Sequence, residues 1–146
     1  PTINGYKRYQ PYSLAPDRAL WGKDNRGAML RVISGTNDPA TRIENRVGEP
    51  AANPYLYLAS QIYSGLDGIK NKYTPSTPVD AAYDTEATPL PRSLEQAILA
   101  LKENPYFREK FGNQFIDYIL HIKEAEVARF LSTVTDWEHK EYFEIF

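Results

Sequence analysis

Apolar residues recur along this chain in two different periods, and the switch between them divides it. Over Gly27-Ala-Met-Leu-Arg-Val-Ile33 the apolar positions run nearly unbroken, which reads as a buried strand, closed by the turn-rich Ser34-Gly-Thr-Asn-Asp-Pro39. Thr41-Arg-Ile-Glu-Asn-Arg-Val47 alternates instead, the mark of a second strand. From Asn53 the spacing becomes helical: Tyr55, Leu58, Ile62, Leu66 and Ile69 fall three or four apart, so this face is expected to be buried. Asn53-Pro54 supplies an N-cap followed by a proline whose missing N–H costs nothing in a first turn. Gly65 and Gly68 each cost up to about 1 kcal/mol in helix propensity relative to alanine, and close packing against a neighbouring backbone is the expected reason for them.

The flanking stretches read differently. Residues 1–20 carry tyrosines, prolines and few periodic apolar positions, a loop by composition. Residues 71–92 are proline-rich and long for a connection, a length usual in functional or mobile loops. Ser93-Leu-Glu-Gln96 is a capping box for a short helix, Asn104-Pro105 starts another, and Asn113 opens the longest one. Thr135-Asp-Trp-Glu138 is a second box, before an aromatic end, Tyr142 to Phe146, that reads as core or subunit contact. The expected class is α+β, with a few antiparallel strands feeding a mainly helical C-terminal half.

Composition narrows the function classes. Apolar residues make up 42% and charged residues 25%, as in ordinary soluble globular proteins. A net charge of −2 gives no bulk electrostatic case for nucleic acid or an anionic membrane. With no cysteine, disulfides, thiolate metal sites and cysteine nucleophiles are all excluded. No apolar run approaches the roughly 20 residues of a membrane-spanning helix, and no signal peptide opens the sequence, so a cytoplasmic setting is expected. The chain begins at Pro1 without a capping or strand signal, and reads as a cut piece of a longer protein.

Candidate chemistry concentrates in the second strand. Period two places Arg42, Glu44 and Arg46 on one face, with two guanidiniums flanking one carboxylate at spacings near 7 Å, from a rise of about 3.4 Å per residue. Arg26 and Arg31 bracket the first strand, and Arg8 lies in the opening loop. Such a set suits a polyanionic ligand, because arginine makes bidentate contacts to phosphate and carboxylate. A glutamate among the arginines suits magnesium, a hard cation that prefers oxygen. The same Arg-x-Glu-x-Arg pattern equally describes a solvated outer face with loose ion pairs worth about 0–1 kcal/mol each. His121 and His139, in the helical tail, read as ordinary surface or boundary histidines.

Longer motifs decide between these readings. Asn4-Gly-Tyr-Lys-Arg8, Asp24-Asn-Arg26 with Leu30-Arg31, and Arg42-Ile-Glu44-Asn-Arg46 are followed by Pro50-Ala-Ala-Asn-Pro-Tyr-Leu56 and Gly65-Leu-Asp-Gly-Ile-Lys-Asn-Lys72. In this order and spacing the set resembles the glutamine synthetase family over nearly the whole of residues 1–146. The resemblance implies a C-terminal segment of the catalytic domain, without the smaller N-terminal domain or the first half of the catalytic one. It implies an ATP-dependent ligase that phosphorylates the side-chain carboxylate of glutamate and then lets an amine displace phosphate. Arg8 and Arg46 would hold the glutamate substrate. Arg26, Arg31 and Arg42 would contact ATP phosphates, with Arg26 also catalytic toward the phosphoryl group in flight. Glu44 would ligate one of the divalent cations, magnesium or manganese. Partners would be ATP, glutamate and an amine, with no nucleic acid and no membrane, in a homo-oligomeric ring. The rival within the same family is a non-catalytic structural or regulatory relative.

Two departures from the family pattern matter. The metal-binding glutamates and histidine of preceding strands are absent from residues 1–146, so this segment alone is expected to be inactive. In the flap, Pro11-Tyr-Ser-Leu-Ala-Pro16 stands where typical glutamine synthetases carry Pro-Gly-Tyr-Glu-Ala-Pro, which puts Leu14 in place of a glutamate that helps deprotonate ammonium. Branches of the family that ligate glutamate to organic amines also carry an apolar residue there, so the amine is left open between ammonium and an organic one. Tyr83 falls near a loop tyrosine that some bacterial members adenylylate, but its surroundings match poorly and it is read as unmodified.

Overall fold

The computed structural model describes residues 1–10 and 13–145. Its sheet has three strands in the order β1-β2-β3: Trp21–Lys23 (β1), Leu30–Ile33 (β2) and Arg42–Asn45 (β3). The two expected strands pair antiparallel, with Arg31 opposite Glu44 and Ile33 opposite Arg42. β1, which the apolar pattern does not announce, runs parallel to β2 with Gly22 opposite Arg31, so the sheet is mixed rather than wholly antiparallel. The short link between parallel strands turns at Asp24, whose φ is 48° and whose N–H donates to the Val32 carbonyl at 2.9 Å. Asn25 then shapes the link by accepting from the Gly27 N–H at 2.9 Å, which leaves β2 to start at Leu30.

The chain forms two units, Pro1–Gln96 and Ala97–Phe146. In the first, Leu20, Ala28 and Ala82 are buried together, with Val79 and Ala87 packed on them. The proline-rich stretch 71–92 supplies part of this core. It lies along β1, where Val79 N–H donates to the Trp21 carbonyl at 2.9 Å and Trp21 Nε1 donates to the Ser76 carbonyl at 2.7 Å. Farther on, Ala19 N–H donates to Thr88 and Leu90 N–H to Asp17, each at 2.8 Å. What the composition marks as a long loop is thus pinned to β1 by residues 76–79 and to the segment that precedes β1 by residues 88–90. The opening loop contains a short 3-10 helix, Asn4–Arg8 (η1).

Helix α1 spans Pro54–Lys70, and its cap is the expected one: Asn53 Oδ1 accepts from the N–H groups of Tyr55 and Leu56 at 3.0 and 3.2 Å. Its apolar face, however, is exposed rather than buried. Tyr55 is 81% and Ile69 76% accessible, and Leu58, Ile62 and Leu66 are all more than half accessible. Gly65 and Gly68 likewise have no described atom within 4 Å of where a Cβ would stand. The helical period is as the pattern demands, but among the described residues no element lies over this face.

The helical tail follows its caps. α2 (Leu94–Glu103) opens on Ser93, whose Oγ accepts from Gln96 N–H at 3.2 Å, while the Gln96 side chain accepts from Arg92 N–H at 2.8 Å. α3 (Pro105–Phe111) is capped by Asn104 and ends at Gly112, whose φ of 85° favours glycine. α4 (Asn113–Leu131) buries Ile116, Leu120 and Val127 and packs on α3, with the Phe107, Phe111 and Phe115 rings in succession. α5 (Asp136–Tyr142) carries the second capping box. Its last residue, Tyr142, and Phe143 and Ile145 beyond it are exposed, not core, and Phe146 lies outside the described residues. His121 and His139 are both exposed. Among the described residues no helix is long and apolar enough to cross a membrane.

Candidate functional site

Antiparallel register builds the centre of the site. Because Arg31 of β2 stands opposite Glu44 of β3, their side chains share one face of the sheet, and Arg31 Nη1 donates to Glu44 Oε2 at 3.1 Å. The turn at Asp24 brings a second carboxylate to the same guanidinium: Asp24 Oδ1 accepts from Arg31 Nε at 2.9 Å and also from Nη2. From the end of β3, Arg46 Nη1 donates to Glu44 Oε1 at 3.2 Å. Each carboxylate oxygen of Glu44 therefore serves one arginine. The hydrogen bond from Arg31 comes first among the causes that hold the Glu44 carboxyl below the usual carboxylate range, with Arg46 adding to it. Arg31 and Arg46 are mostly covered, at 15% and 19% side-chain exposure, whereas surface ion pairs leave both partners wet.

Arg46 also reaches outward. Its Nε donates to the Arg26 carbonyl at 2.8 Å and its Nη2 to the Leu14 carbonyl at 3.1 Å. One guanidinium thus joins β3 to the loop that carries Arg26 and to the flap that carries Leu14. Two of its five N–H groups are left over by these bonds. Arg8, at the end of η1, is drawn to the same place, since its Nη2 donates to the Arg46 carbonyl at 2.5 Å and to Tyr9 at 3.2 Å. Glu49 anchors the start of η1 by accepting from Thr2 N–H at 2.8 Å and Thr2 Oγ1 at 2.6 Å.

Of the residues expected from sequence, Arg31, Glu44 and Arg46 meet directly, while Arg8, Leu14 and Arg26 join through backbone carbonyls. Arg42 does not join the cluster: it stands opposite Ile33 at the far end of β3, and its Nη1 donates to the Ala40 carbonyl at 2.8 Å. The Arg26 side chain is exposed and meets no partner among the described residues. Leu14 is 52% accessible and holds a φ of 59°, a left-handed conformation that is unusual for a bulky residue. Pro11 and Tyr12, the first residues of the flap pattern, lie outside the described residues.

Sequence reasoning missed three supports. Asp24 gave no periodic signal, and its role depends on a turn. Glu49 follows the strand motif but acts on residues nearly fifty positions earlier. Tyr83, in the proline-rich stretch, donates its hydroxyl to the Ala15 carbonyl at 3.1 Å. Burial and Asp17 push that hydroxyl up, against the hydrogen bond from the Leu14 backbone and the nearby Arg46, so it stays protonated at neutral pH. Elsewhere in the first unit, Tyr6, Tyr9 and Tyr57 line a cavity of about 300 Å³ with Glu49 and Gln61, and burial first of all raises the Tyr6 hydroxyl to about 12.

These residues do not by themselves make a metal centre. No group of three or more His, Cys, Asp or Glu side chains suited to a cation occurs among the described residues. Glu44 fits as a single ligand: it is ionised, and with one donated bond per oxygen each oxygen keeps a further lone pair. The chemistry the arrangement offers is recognition of negative charge by preset guanidiniums, beside an apolar flap residue.

Comparison with known proteins places this arrangement. The model of the glutamine synthetase catalytic domain matches residues 1–142. Over 99% of its length the chain is 53% identical to the gamma-glutamylanilide synthase of an Acinetobacter species, covering 31% of that protein. It is 38% identical to the glutamate–isopropylamine ligase of a Pseudomonas species over 99% of the chain and 32% of that protein, and 36% identical to the glutamine synthetase of Methanococcus maripaludis over 99% and 34%. Among solved structures it is similar to GmaS without ligand, at 32% identity and a TM-score of 0.81, covering 98% of the chain and 33% of that one. The fold is shared with the glutamine synthetase of Plasmodium falciparum, at 21% identity and a TM-score of 0.80 over 97% of the chain and 37% of that one. The chain spans about a third of the length of the relatives it matches. A domain match over almost every residue, and relatives alike in sequence and fold from end to end of the chain, make it a member of the glutamine synthetase family.

Proposed function

We propose that the protein to which this chain belongs is an ATP-dependent ligase that joins the side-chain carboxylate of glutamate to an organic amine, with an aromatic amine as the best substrate. The observation that carries the choice of amine is Leu14. It is an apolar, half-exposed side chain in the flap, at the position where typical glutamine synthetases carry a glutamate, and its carbonyl is bound to Arg46. The higher identity to a gamma-glutamylanilide synthase than to a glutamine synthetase, 53% against 36%, supports the same choice.

In this reading the γ-phosphoryl group of ATP passes to a side-chain carboxylate oxygen of glutamate, and ADP leaves. The amine nitrogen then attacks the carbonyl carbon, the bond to the phosphate oxygen breaks, and one proton departs from nitrogen. Negative charge spread over the transferring group is what the protein must meet. In this reading Arg26, exposed and without a described partner, follows that group, while Arg31 contacts the ATP phosphates and Arg42, though outside the ion cluster, is assigned to them by family resemblance. Arg8 and the remaining N–H groups of Arg46 hold the glutamate carboxylates. Glu44 would supply one ligand to a divalent cation, magnesium or manganese, with the others expected from outside residues 1–146, and such a cation would neutralise negative charge on the phosphates.

Ammonium must lose a proton before it can attack, and a flap carboxylate attracts the cation and takes that proton. Leucine does neither. An arylamine arrives at neutral pH already as the free base, so it needs no such help, and its ring gains from apolar contact at roughly 25 cal/mol per Å² removed from water. With the full-length enzyme, phosphate release from ATP and glutamate should show kcat/KM for aniline above that for isopropylamine and at least about tenfold above that for ammonium. Leu14→Glu should narrow the gap, chiefly by weakening the aromatic amine. Ammonium ahead of both organic amines by a wide margin would overturn the proposal.

A further inference from the structure

We infer that Tyr83 is a positioning residue for the amine site, holding the flap backbone at Leu14 and Ala15 in place through its hydroxyl. It acts on the reaction through Leu14 and touches no substrate, so the inference rests on the amine-site reading of Leu14 and deepens it.

Leu14 sits in a left-handed conformation that a leucine does not adopt without support, at a φ of 59°. Support comes from two side. Arg46 donates to the Leu14 carbonyl at 3.1 Å, and Tyr83 donates to the next carbonyl, that of Ala15, also at 3.1 Å. Immediately beyond, Ala15 and Pro16 are buried, while Leu14 itself remains half exposed. The flap is thus fixed at its base and free at the side chain that faces the chemistry of amine choice. Arg46 is already committed to Glu44 and to the Arg26 carbonyl, so it fixes several parts at once. Tyr83 contributes a bond to the flap that the ion cluster does not share.

The ring of Tyr83 has a second contact. A Cβ added at Gly27 would stand 3.1 Å from Tyr83 Cε2 and 3.1 Å from the Ala82 Cβ, so the ring lies directly against the backbone next to Arg26. Hydroxyl and ring therefore address different parts: the hydroxyl addresses the flap, and the ring addresses the loop of the phosphate-facing arginine. Removing the hydroxyl alone should disturb amine use and leave the Arg26 loop supported. A filler residue at this position would show no such division.

The experiment uses the full-length enzyme and the variants Tyr83→Phe, Leu14→Ala and their combination, with KM and kcat measured for aniline, ammonium, glutamate and ATP. Tyr83→Phe should raise the amine KM about two- to tenfold, the range for one lost hydrogen bond, with the ATP KM unchanged. It should also shift the aniline-to-ammonium preference. In the Leu14→Ala background that shift should vanish, because the side chain being positioned is gone. An unchanged amine KM in Tyr83→Phe overturns the inference, as does an equal rise for amine, ATP and glutamate, or the same shift of preference with and without Leu14. Failure of the amine-site reading looks different: a wild type that prefers ammonium overturns the organic amine, while the effect of Tyr83→Phe on the ammonium KM still decides the role of Tyr83.

Discussion

Glu44 shows how one carboxylate takes two jobs. Its oxygens each accept from a different guanidinium, and Arg31 in turn is shared with Asp24, so charge alternates through four side chains across β1, β2 and β3. The carboxyl is held below its ordinary value of 4.5, chiefly by the hydrogen bond from Arg31. For a carboxyl with a depressed folded value, the stability it contributes is fully present above the unfolded value and is lost as pH falls through the folded one. Glu44→Gln lacks that ionisation. The thermal midpoint of wild type should therefore exceed that of Glu44→Gln at neutral pH, with the gap closing as pH falls below the ordinary carboxyl value of 4.5 and through the lower folded one. A gap that stays constant from pH 7 to pH 3 would mean that the ion cluster does not hold the sheet. In the full-length enzyme the same substitution should lower activity by at least about tenfold, the low end for a disturbed metal environment, together with an altered magnesium dependence. A normal rate and a normal magnesium dependence would mean that Glu44 is not a metal ligand.

At the scale of elements, caps and periods were legible and cross-chain supports were not. Asn53, Ser93, Asn104 and Thr135 each open the helix that sequence assigns to them, because a cap is a local event between residues two or three apart. Period two in residues 41–47 correctly put Glu44 and Arg46 together, but Arg42 points its bond to Ala40, since alternation fixes a face and not a partner. β1 escaped notice for a different reason. It is three residues long, and its edge is satisfied by residues more than fifty positions away. Gly22 makes that edge possible: a Cβ there would stand 2.5 Å from the Val79 carbonyl oxygen and 2.8 Å from the Asn25 Cβ. Val79 cannot yield easily, because its N–H is bonded to Trp21 and its carbonyl accepts from Asn25 Nδ2 at 3.1 Å. Gly22→Ala should destabilise the protein by about 1–3 kcal/mol, the usual range for overpacking, read as a lower urea midpoint with an unchanged slope. An unchanged midpoint would show that residues 76–80 are not locked on β1.

At the scale of the whole molecule, the exposed face of α1 and the lack of a cluster of metal-ligating side chains among the described residues lead to one expectation. Sequence gave the helix its apolar stripe, and a stripe of that regularity implies a partner surface, but no described residue of this chain provides one. A relative three times as long has chain to spare for it, as it has for the further ligands that the proposed cation site would require. Residues 1–146 produced alone should therefore fold with α1 uncovered, bind a hydrophobic dye, and show no ATP-dependent glutamyl transfer with any amine. Ile62→Glu separates exposure from misfolding. At 61% accessibility the substitution should change the stability of the isolated segment by no more than about 0.5 kcal/mol, while dye binding falls. In the full-length protein the same charge would be placed against whatever covers the helix, and the cost should rise to about 1–3 kcal/mol or more. Equal, small effects in both settings would mean that α1 faces solvent in the complete protein as well. Turnover by the isolated segment would mean that the arginine cluster with Glu44 is sufficient for catalysis.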